Sequence, residues 1–173
     1  MKLEGGGKRI DAVKAILDAE IPVMGHIGLT PQSIHALGGF KVQGKQAAAA
    51  EALVDDAVAL ADAGCFAVVL EAVPDGVARA VTEAISVPTI GIGAGPWCDG
   101  QVLVYHDVLG IEDRISPKFV RRYDNVKADS VAALAQYADD VRTHRFPSDD
   151  ESYHLSGDVA EALGLYGAVT KTA

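Results

Sequence analysis

The sequence is poor in cysteine, in aromatic residues and in apolar segments near its start. Its 173 residues include only two cysteines, Cys65 and Cys98, and neither has a neighbour at metal-ligand spacing. The first residues lack the apolar stretch of a signal peptide, so two lone thiols predict a reducing, cytoplasmic environment. Aromatic residues make up 6% of the chain, which leaves Ala, Val, Leu and Ile to build the core.

Basic residues and long hydrophobic runs are scarce as well. Fifteen basic residues against twenty-four acidic ones give a net charge of −9, which would repel a phosphate backbone and argues against a nucleic-acid partner. No apolar run approaches the roughly 18–20 residues of a membrane span, so no membrane partner is expected. Walker loops, zinc signatures and serine elbows are also absent from the sequence.

Short apolar runs alternate with amphipathic patterns along the chain. The runs predict strands at residues 1–4, 21–25, 66–70, 87–92 and 102–105. The patterns predict helices at residues 8–20, 46–63, 75–85 and 129–141. Gly64 should end the second helix, as a glycine after the last helical residue does. The alternating order predicts an α/β fold with a parallel sheet and right-handed crossovers.

Two segments depart from this alternation. The connection at residues 25–45 is long for a strand-to-helix loop, which favours a functional loop, and a short helix should begin at Pro31. After Pro147 the composition turns polar and then rich in Ala and Gly, with one helical patch at residues 158–163. We therefore predict a catalytic domain at residues 1–147 and a loosely attached tail at residues 148–173.

Four residues near strand ends are candidates for chemistry, because ligands of parallel α/β folds bind beyond the carboxyl ends of the strands. Glu71 follows a buried strand and is a candidate general base, or else the exposed first residue of a loop. Lys2 and Glu4 share a strand face and form either a site or an ordinary ion pair. His26, at the end of the second strand, is either a site residue or a structural histidine.

Seven segments, in order and with family-like spacing over residues 1–147, resemble the ketopantoate hydroxymethyltransferases. They are residues 2–6 (KLEGG), 25–33 (GHIGLTPQS), 37–44 (LGGFKVQG), 70–74 (LEAVP), 90–95 (IGIGAG), 99–107 (DGQVLVYHD) and 117–119 (PKF). The resemblance implies a (β/α) barrel of TIM type, of which this chain would hold about the last five strand–helix units. It also implies a homo-oligomer.

The same resemblance implies a reaction and its participants. The family transfers a hydroxymethyl group from 5,10-methylenetetrahydrofolate to 3-methyl-2-oxobutanoate, giving 2-dehydropantoate for pantothenate biosynthesis. Mg²⁺ binds the keto acid and polarises its carbonyl. By motif, Glu71 would accept the proton, Lys2 and His26 would bind substrate, and Glu4 would be a metal ligand.

One family feature has no counterpart in the sequence. In the family, strands before the Lys-x-Glu-Gly-Gly motif carry two metal-binding aspartates and a substrate-binding serine, whereas here Met1 directly precedes that motif. Glu4 alone cannot supply the roughly six oxygens that Mg²⁺ takes. We therefore expect the chain to be incomplete for activity alone.

Two other hypotheses stay open from the sequence. The chain could be an inactive fragment that acts only in assembly or ligand binding. It could also belong to the phosphoenolpyruvate mutases and lyases, which share a barrel, magnesium and enolate chemistry, although their cysteine-bearing loop is not visible here.

Overall fold

Five strands, all parallel, pair in sequence order across one sheet. The computed structural model describes residues 1–33 and 39–164. Its strands are β1 Lys2–Glu4, β2 Met24–Gly28, β3 Ala67–Glu71, β4 Thr89–Ile92 and β5 Gly100–Gln101. The predicted α/β class with a parallel sheet is therefore confirmed.

The helices of the first 124 residues largely follow the predicted pattern. They are α1 Ile10–Asp18, α2 Ala47–Asp62, α3 Asp75–Ala84 and α4 Tyr105–Val108, with short 3-10 helices at Gly7–Arg9 and Pro31–Ser33. The alanine-rich α2 is favoured by the high helix propensity of alanine. It stops before Gly64, whose φ of +102° suits the left-handed position after a helix, as predicted.

The core lies on one face of the sheet, where helices cover the middle strands. Ile27, Val68 and Leu70 are buried there with Leu60 of α2 and Val81 of α3. Gly25 leaves room for this packing, because a Cβ at that position would lie 2.9 Å from Leu60 Cδ1. Since side chains alternate along a strand, the neighbouring residues of β2 and β3 face the opposite side.

Two strand predictions need correction. The second strand begins at Met24, later than predicted, because Pro22 cannot donate to a ladder; it continues to Gly28, so His26 lies within the strand. The strand predicted at residues 102–105 is wrong. After β5, the Val102 N–H donates a hydrogen bond to the Gly91 carbonyl. The Val104 carbonyl then accepts hydrogen bonds from the N–H groups of Asp107 and Val108, which form the first turn of α4. The β propensity of residues 102–105 is therefore overridden by the start of α4.

A second compact unit, Asn125–Ala173, contains α5 Val126–Arg142 and α6 Gly157–Leu163. Both helices were predicted, with α5 beginning three residues earlier than expected. Arg145 follows the end of α5, and its guanidinium pairs with the carboxylates of Asp139 and Asp140 in the last turn of that helix. Residues 165–173 of the predicted tail, and residues 34–38 of the predicted functional loop, lie outside the described residues.

Candidate functional site

Strand pairing brings the four candidate residues to one face of the sheet. Glu4 of β1 is in register with His26 of β2, and Lys2 lies two residues earlier on the same face. His26 is in turn paired with Val69 of β3, so Glu71 lies two residues further along that face. The residues that the sequence nominated separately therefore form one cluster, with Glu4 and Glu71 at the carboxyl ends of β1 and β3 and His26 within β2.

His26 is the centre of this cluster and is almost fully buried. Its Nδ1 lies 2.8 Å from the Lys2 Nζ, and its Nε2 lies 3.1 Å from Glu71 Oε2. An ammonium group has only donors, so Nδ1 must accept this hydrogen bond and the neutral ring carries its proton on Nε2. The contact with Lys2 thus fixes the tautomer that presents an N–H to Glu71.

The contact between His26 and Glu71 is close but poorly aligned. Although 3.1 Å is a hydrogen-bonding distance, Nε2 is buried without a properly directed hydrogen-bond partner among the described residues. A buried N–H left in this state costs free energy, so it favours a partner or ligand that completes the bond.

Glu4 is held on the other side of the histidine. Its Oε2 accepts a hydrogen bond from the backbone N–H of Gln32 at 2.9 Å. Its Oε1 lies 3.6 Å from the Lys2 Nζ and 3.8 Å from His26 Nδ1. The side chains of Glu4 and Glu71 are 10% and 16% exposed and that of Lys2 is 45% exposed, so the ammonium remains the most accessible of these charges.

The backbone around Glu71 is tightly constrained. The Glu71 carbonyl accepts a hydrogen bond from the N–H of Leu29, and the next residue, Ala72, has a φ of +48°. A left-handed conformation is unfavourable for alanine by about 1–2 kcal/mol. Ala72 holds it through backbone bonds to Ile92 and Gln43. Such strain persists where the surrounding structure imposes it, which is common at functional sites.

Glu71 lines a cavity of about 450 Å³ that His26 does not line. Its lining includes Leu29, Ile92, Phe40 and Phe119, with the cationic residues Lys41 and Lys118. None of these lining residues was predicted from the sequence as a site residue. Each of them nevertheless lies in a segment of the family resemblance, at residues 25–33, 37–44, 90–95 or 117–119.

A second cavity, of about 590 Å³, lies beside Glu4 and the glycines that follow β1. The Asp56 carboxylate of α2 accepts a hydrogen bond from the Gly7 N–H, and a Cβ on Gly6 would lie 2.0 Å from Asp56 Cγ. The glycines are therefore explained by close packing of this loop on α2. The cavity at Glu71 is the stronger candidate for a ligand site, because the partly buried Glu71 carboxylate lines it.

The described residues do not by themselves fit a magnesium ion. Mg²⁺ takes about six oxygen ligands at about 2.1 Å. Within residues 1–33 and 39–164, no group of three His, Cys, Asp or Glu side chains is arranged to hold a metal. Glu4 offers one carboxylate, with one oxygen bonded to Gln32 and the other near the Lys2 ammonium. It fits one position of a coordination sphere and no more.

A parallel α/β sheet that carries a carboxylate–imidazole–ammonium cluster at its strand ends is the arrangement of an α/β enzyme. The sequence model of the ketopantoate hydroxymethyltransferase family matches residues 1–149. The chain belongs to this family, which confirms the resemblance stated from its motifs. In the described part of the chain, no helix is long and apolar enough to cross a membrane.

Several curated proteins are similar to most of this chain. A 3-methyl-2-oxobutanoate hydroxymethyltransferase of Syntrophomonas wolfei is 56% identical over 163 residues, which is 94% of this chain and 59% of that protein. The protein of the same name from Carboxydothermus hydrogenoformans is 53% identical over the same shares. That of Moorella thermoacetica is 58% identical over 88% of this chain and 57% of its own length. The chain thus spans less than three fifths of each.

Proposed function

We propose that this chain provides the general base and part of the keto-acid site for a hydroxymethyl transfer. The donor is 5,10-methylenetetrahydrofolate, the acceptor is 3-methyl-2-oxobutanoate, and the product, 2-dehydropantoate, belongs to pantothenate biosynthesis. The observation that carries the proposal is the contact of the nearly buried Glu71 carboxylate with His26, inside a chain of this family. We further propose that the five-stranded sheet is an arc of a (β/α) barrel, since its strands pair in sequence order.

Glu71 is the proposed catalytic residue. Its carboxylate takes the proton from C3 of the keto acid, and the resulting carbanion forms the new carbon–carbon bond with the methylene carbon of the folate. The two bonds from that carbon to the folate nitrogens break, and one water supplies the oxygen of the new hydroxyl group. The proton taken by Glu71 and one proton of the water go to the two nitrogens of the departing tetrahydrofolate. A carboxylate with little solvent contact is suited to this step, because water does not compete for the proton.

Lys2 and His26 are proposed to bind the keto acid. The half-exposed Lys2 ammonium can pair with the substrate carboxylate and favour negative charge developing beside it. The unbonded Nε2–H of His26 can donate to a substrate oxygen, which would also satisfy this buried group.

Glu4 is proposed as one ligand of a magnesium ion. Glu4 would supply one oxygen, and the others would come from water, from the substrate and from groups beyond the described residues. An ion held there would polarise the carbonyl of the keto acid. Assembly into a homo-oligomer, a cytoplasmic location and the domain boundary at residue 147 stay predictions.

The test separates proton removal from the complete reaction. The purified chain is incubated with Mg²⁺ and 3-methyl-2-oxobutanoate in D₂O, and exchange of the C3 proton is followed by NMR; with methylenetetrahydrofolate added, 2-dehydropantoate is measured. Glu71→Gln should lower exchange by about 10²–10⁴-fold. Glu83→Gln is the control, because Glu83 is exposed and pairs with Arg79 on α3.

Undiminished exchange by Glu71→Gln would refute the assignment of the base. If the unaltered chain catalyses neither exchange nor product formation, the hypothesis of a non-catalytic assembly or binding fragment is favoured instead. Exchange without product would mean that the chain by itself removes the C3 proton but does not complete the transfer.

A further inference from the structure

Three consecutive glycines connect the end of β1 to the helices that follow it. Gly5, Gly6 and Gly7 come directly after Glu4, and the 3-10 helix Gly7–Arg9 then leads into α1. Glycine has no Cβ and keeps more backbone freedom than other residues, so this glycine segment does not fix its own direction. Its position therefore depends on the contacts that other elements make with it.

Strand β1 is itself short and paired on one side. It has three residues, and within the described part of the chain it pairs with β2 alone. A strand of this length has few ladder hydrogen bonds to hold it in place. It nevertheless carries Lys2, whose Nζ lies 2.8 Å from His26 Nδ1. A contact this specific needs support from beyond the ladder.

Two hydrogen bonds supply that support, one at each end of the glycine segment. The Gly5 N–H donates to the His26 carbonyl at 2.9 Å, which extends the contact between β1 and β2. The Gly7 N–H donates to Asp56 Oδ1 at 2.6 Å, a bond that the charge of the carboxylate strengthens. Between them, Gly6 lies so close to Asp56 that a Cβ would be 2.0 Å from its Cγ. The glycine segment is thus held on the Asp56 side chain.

The residue that holds the segment belongs to the helix that packs on β2. Asp56 and Leu60 lie one turn apart on α2, so they share a face of that helix. Leu60 is fully buried against Gly25 of β2, where an added Cβ would lie 2.9 Å from its Cδ1. Helix α2 therefore contacts β2 beside His26 and also holds the segment that follows Glu4. One helix sets the spacing between the two strands.

We propose that Asp56 is a positioning residue, which acts through the glycine segment to hold β1 where Lys2 meets His26. An apolar side chain could also pack on Gly6, but it could not accept the hydrogen bond of the Gly7 N–H. The position therefore requires an acceptor. The inference rests on the proposed function for what Lys2 and His26 do, and it adds a residue that touches none of the reactants.

The ¹⁵N NMR signals of the His26 ring test the proposal without requiring catalysis. In Asp56→Ala the Gly7 N–H loses its acceptor and β1 gains freedom, so the contact with Lys2 that keeps the proton off Nδ1 weakens. The fraction of the neutral ring that is protonated on Nδ1 should therefore rise. Exchange of the C3 proton should fall by about tenfold, because small misplacements near a reacting group are costly.

Two further variants separate the hydrogen bond from the charge. Asp56→Asn keeps an acceptor oxygen, so its His26 signals should match those of the unaltered chain and its C3 exchange should stay within about twofold. Asp55→Ala is the matched control, since Asp55 is the neighbouring carboxylate on α2 and is exposed. It removes the same charge and leaves the hydrogen bonds of Gly5 and Gly7 intact, so neither measurement should change.

Hydrogen exchange of the Gly7 amide tests the contact in the unaltered chain, so the answer does not depend on the stability of any variant. This amide should exchange at least about tenfold more slowly than an unbonded one. Exchange at the unbonded rate would overturn the proposal. It would also be overturned by His26 signals that a folded Asp56→Ala leaves unchanged, or by a shift that Asp55→Ala or Asp56→Asn reproduces in full.

Failure of this inference is distinct from failure of the proposed function. If Glu71→Gln lowers C3 exchange while Asp56→Ala changes neither exchange nor the His26 signals, the base stands and the positioning role is wrong. If the unaltered chain catalyses no exchange, the His26 signals still decide whether Asp56 holds β1 in place.

Discussion

The Nε2 of His26 lies 3.1 Å from a carboxylate oxygen of Glu71, although the two residues are forty-five positions apart in the sequence. The ring is oriented from its other side, where Nδ1 lies 2.8 Å from the Lys2 ammonium. Lys2 therefore controls which histidine nitrogen carries the proton that faces the proposed base.

This arrangement predicts the tautomer of His26. In ¹⁵N NMR spectra at a pH where the ring is neutral, Nε2 should be protonated and Nδ1 should not. Lys2→Met removes the donor to Nδ1, so the population of the Nδ1–H tautomer should rise. Lys14→Met, an exposed lysine change on α1, should leave the spectrum of His26 unaltered. A protonated Nδ1 in the unaltered chain would contradict the assignment.

Gly28 determines whether the end of β3 can take its position. Its φ is +90°, and an added Cβ would lie 2.3 Å from the Glu71 carbonyl oxygen. Gly28→Ala should therefore lower the free energy of unfolding by about 2 kcal/mol or more, from backbone strain and overlap together. Urea unfolding measures this, and C3 exchange reports whether Glu71 has moved.

Gly76→Ala is the matched control for that change. Gly76 lies in the first turn of α3, and an added Cβ would have no heavy atom within 4 Å apart from its chain neighbours and the backbone of its own helix. Alanine in a helix should raise the free energy of unfolding by about 0.5–1 kcal/mol. Equal effects of the two substitutions would show that crowding at Glu71 is not the cause.

Much of the fold was predictable because its signals are local. The continuous apolar run of β3, the alanine-rich α2 and Gly64 each indicate their element through neighbouring residues alone. The strand predicted at residues 102–105 failed for the complementary reason. Its end depends on the carbonyl of Val104 accepting helical hydrogen bonds, which no local apolar pattern reveals.

The candidate site residues could be nominated from the sequence, but their contacts with one another could not. The rule that ligands bind at strand ends nominated Lys2, Glu4, His26 and Glu71. Their distances depend on strand register, which pairs Glu4 with His26 and places Glu71 two residues beyond Val69. The cavity was harder still to predict, because Phe40 and Phe119 come from segments almost eighty residues apart.

Val68 tests how much the buried face of β3 contributes to the stability of the strand that carries Glu71. It is fully buried in the core, so Val68→Ala should lower the free energy of unfolding by about 2–3 kcal/mol through lost burial and a residual cavity. Val102→Ala, at a half-exposed valine after β5, should change it by no more than about 0.5 kcal/mol. Similar losses for both would mean that this face is not the core.

Asp99, which directly precedes β5, should make the stability of the fold depend on pH. Hydrogen bonds from the backbone N–H and the hydroxyl of Thr89 hold the pKa of the Asp99 carboxyl below its usual range. A carboxyl whose pKa is lowered by folding makes its full contribution to stability when the pH is above its pKa in the unfolded chain, about 3.9. That contribution is lost as the pH falls through the lower pKa that the carboxyl has in the folded chain.

The measurement is urea unfolding between about pH 6 and about pH 2.5. Asp99→Asn cannot titrate, so its free energy of unfolding should fall less steeply below about pH 4 than that of the unaltered chain. Asp11→Asn, at an exposed position of α1, controls for the general effect of removing one negative charge. If the curves of the unaltered chain and Asp99→Asn run parallel to low pH, the carboxylate of Asp99 does not join β4 to β5. The backbone pairing of Ile90 with Gly100 and of Gly91 with Gln101 would then be sufficient to hold the two strands together.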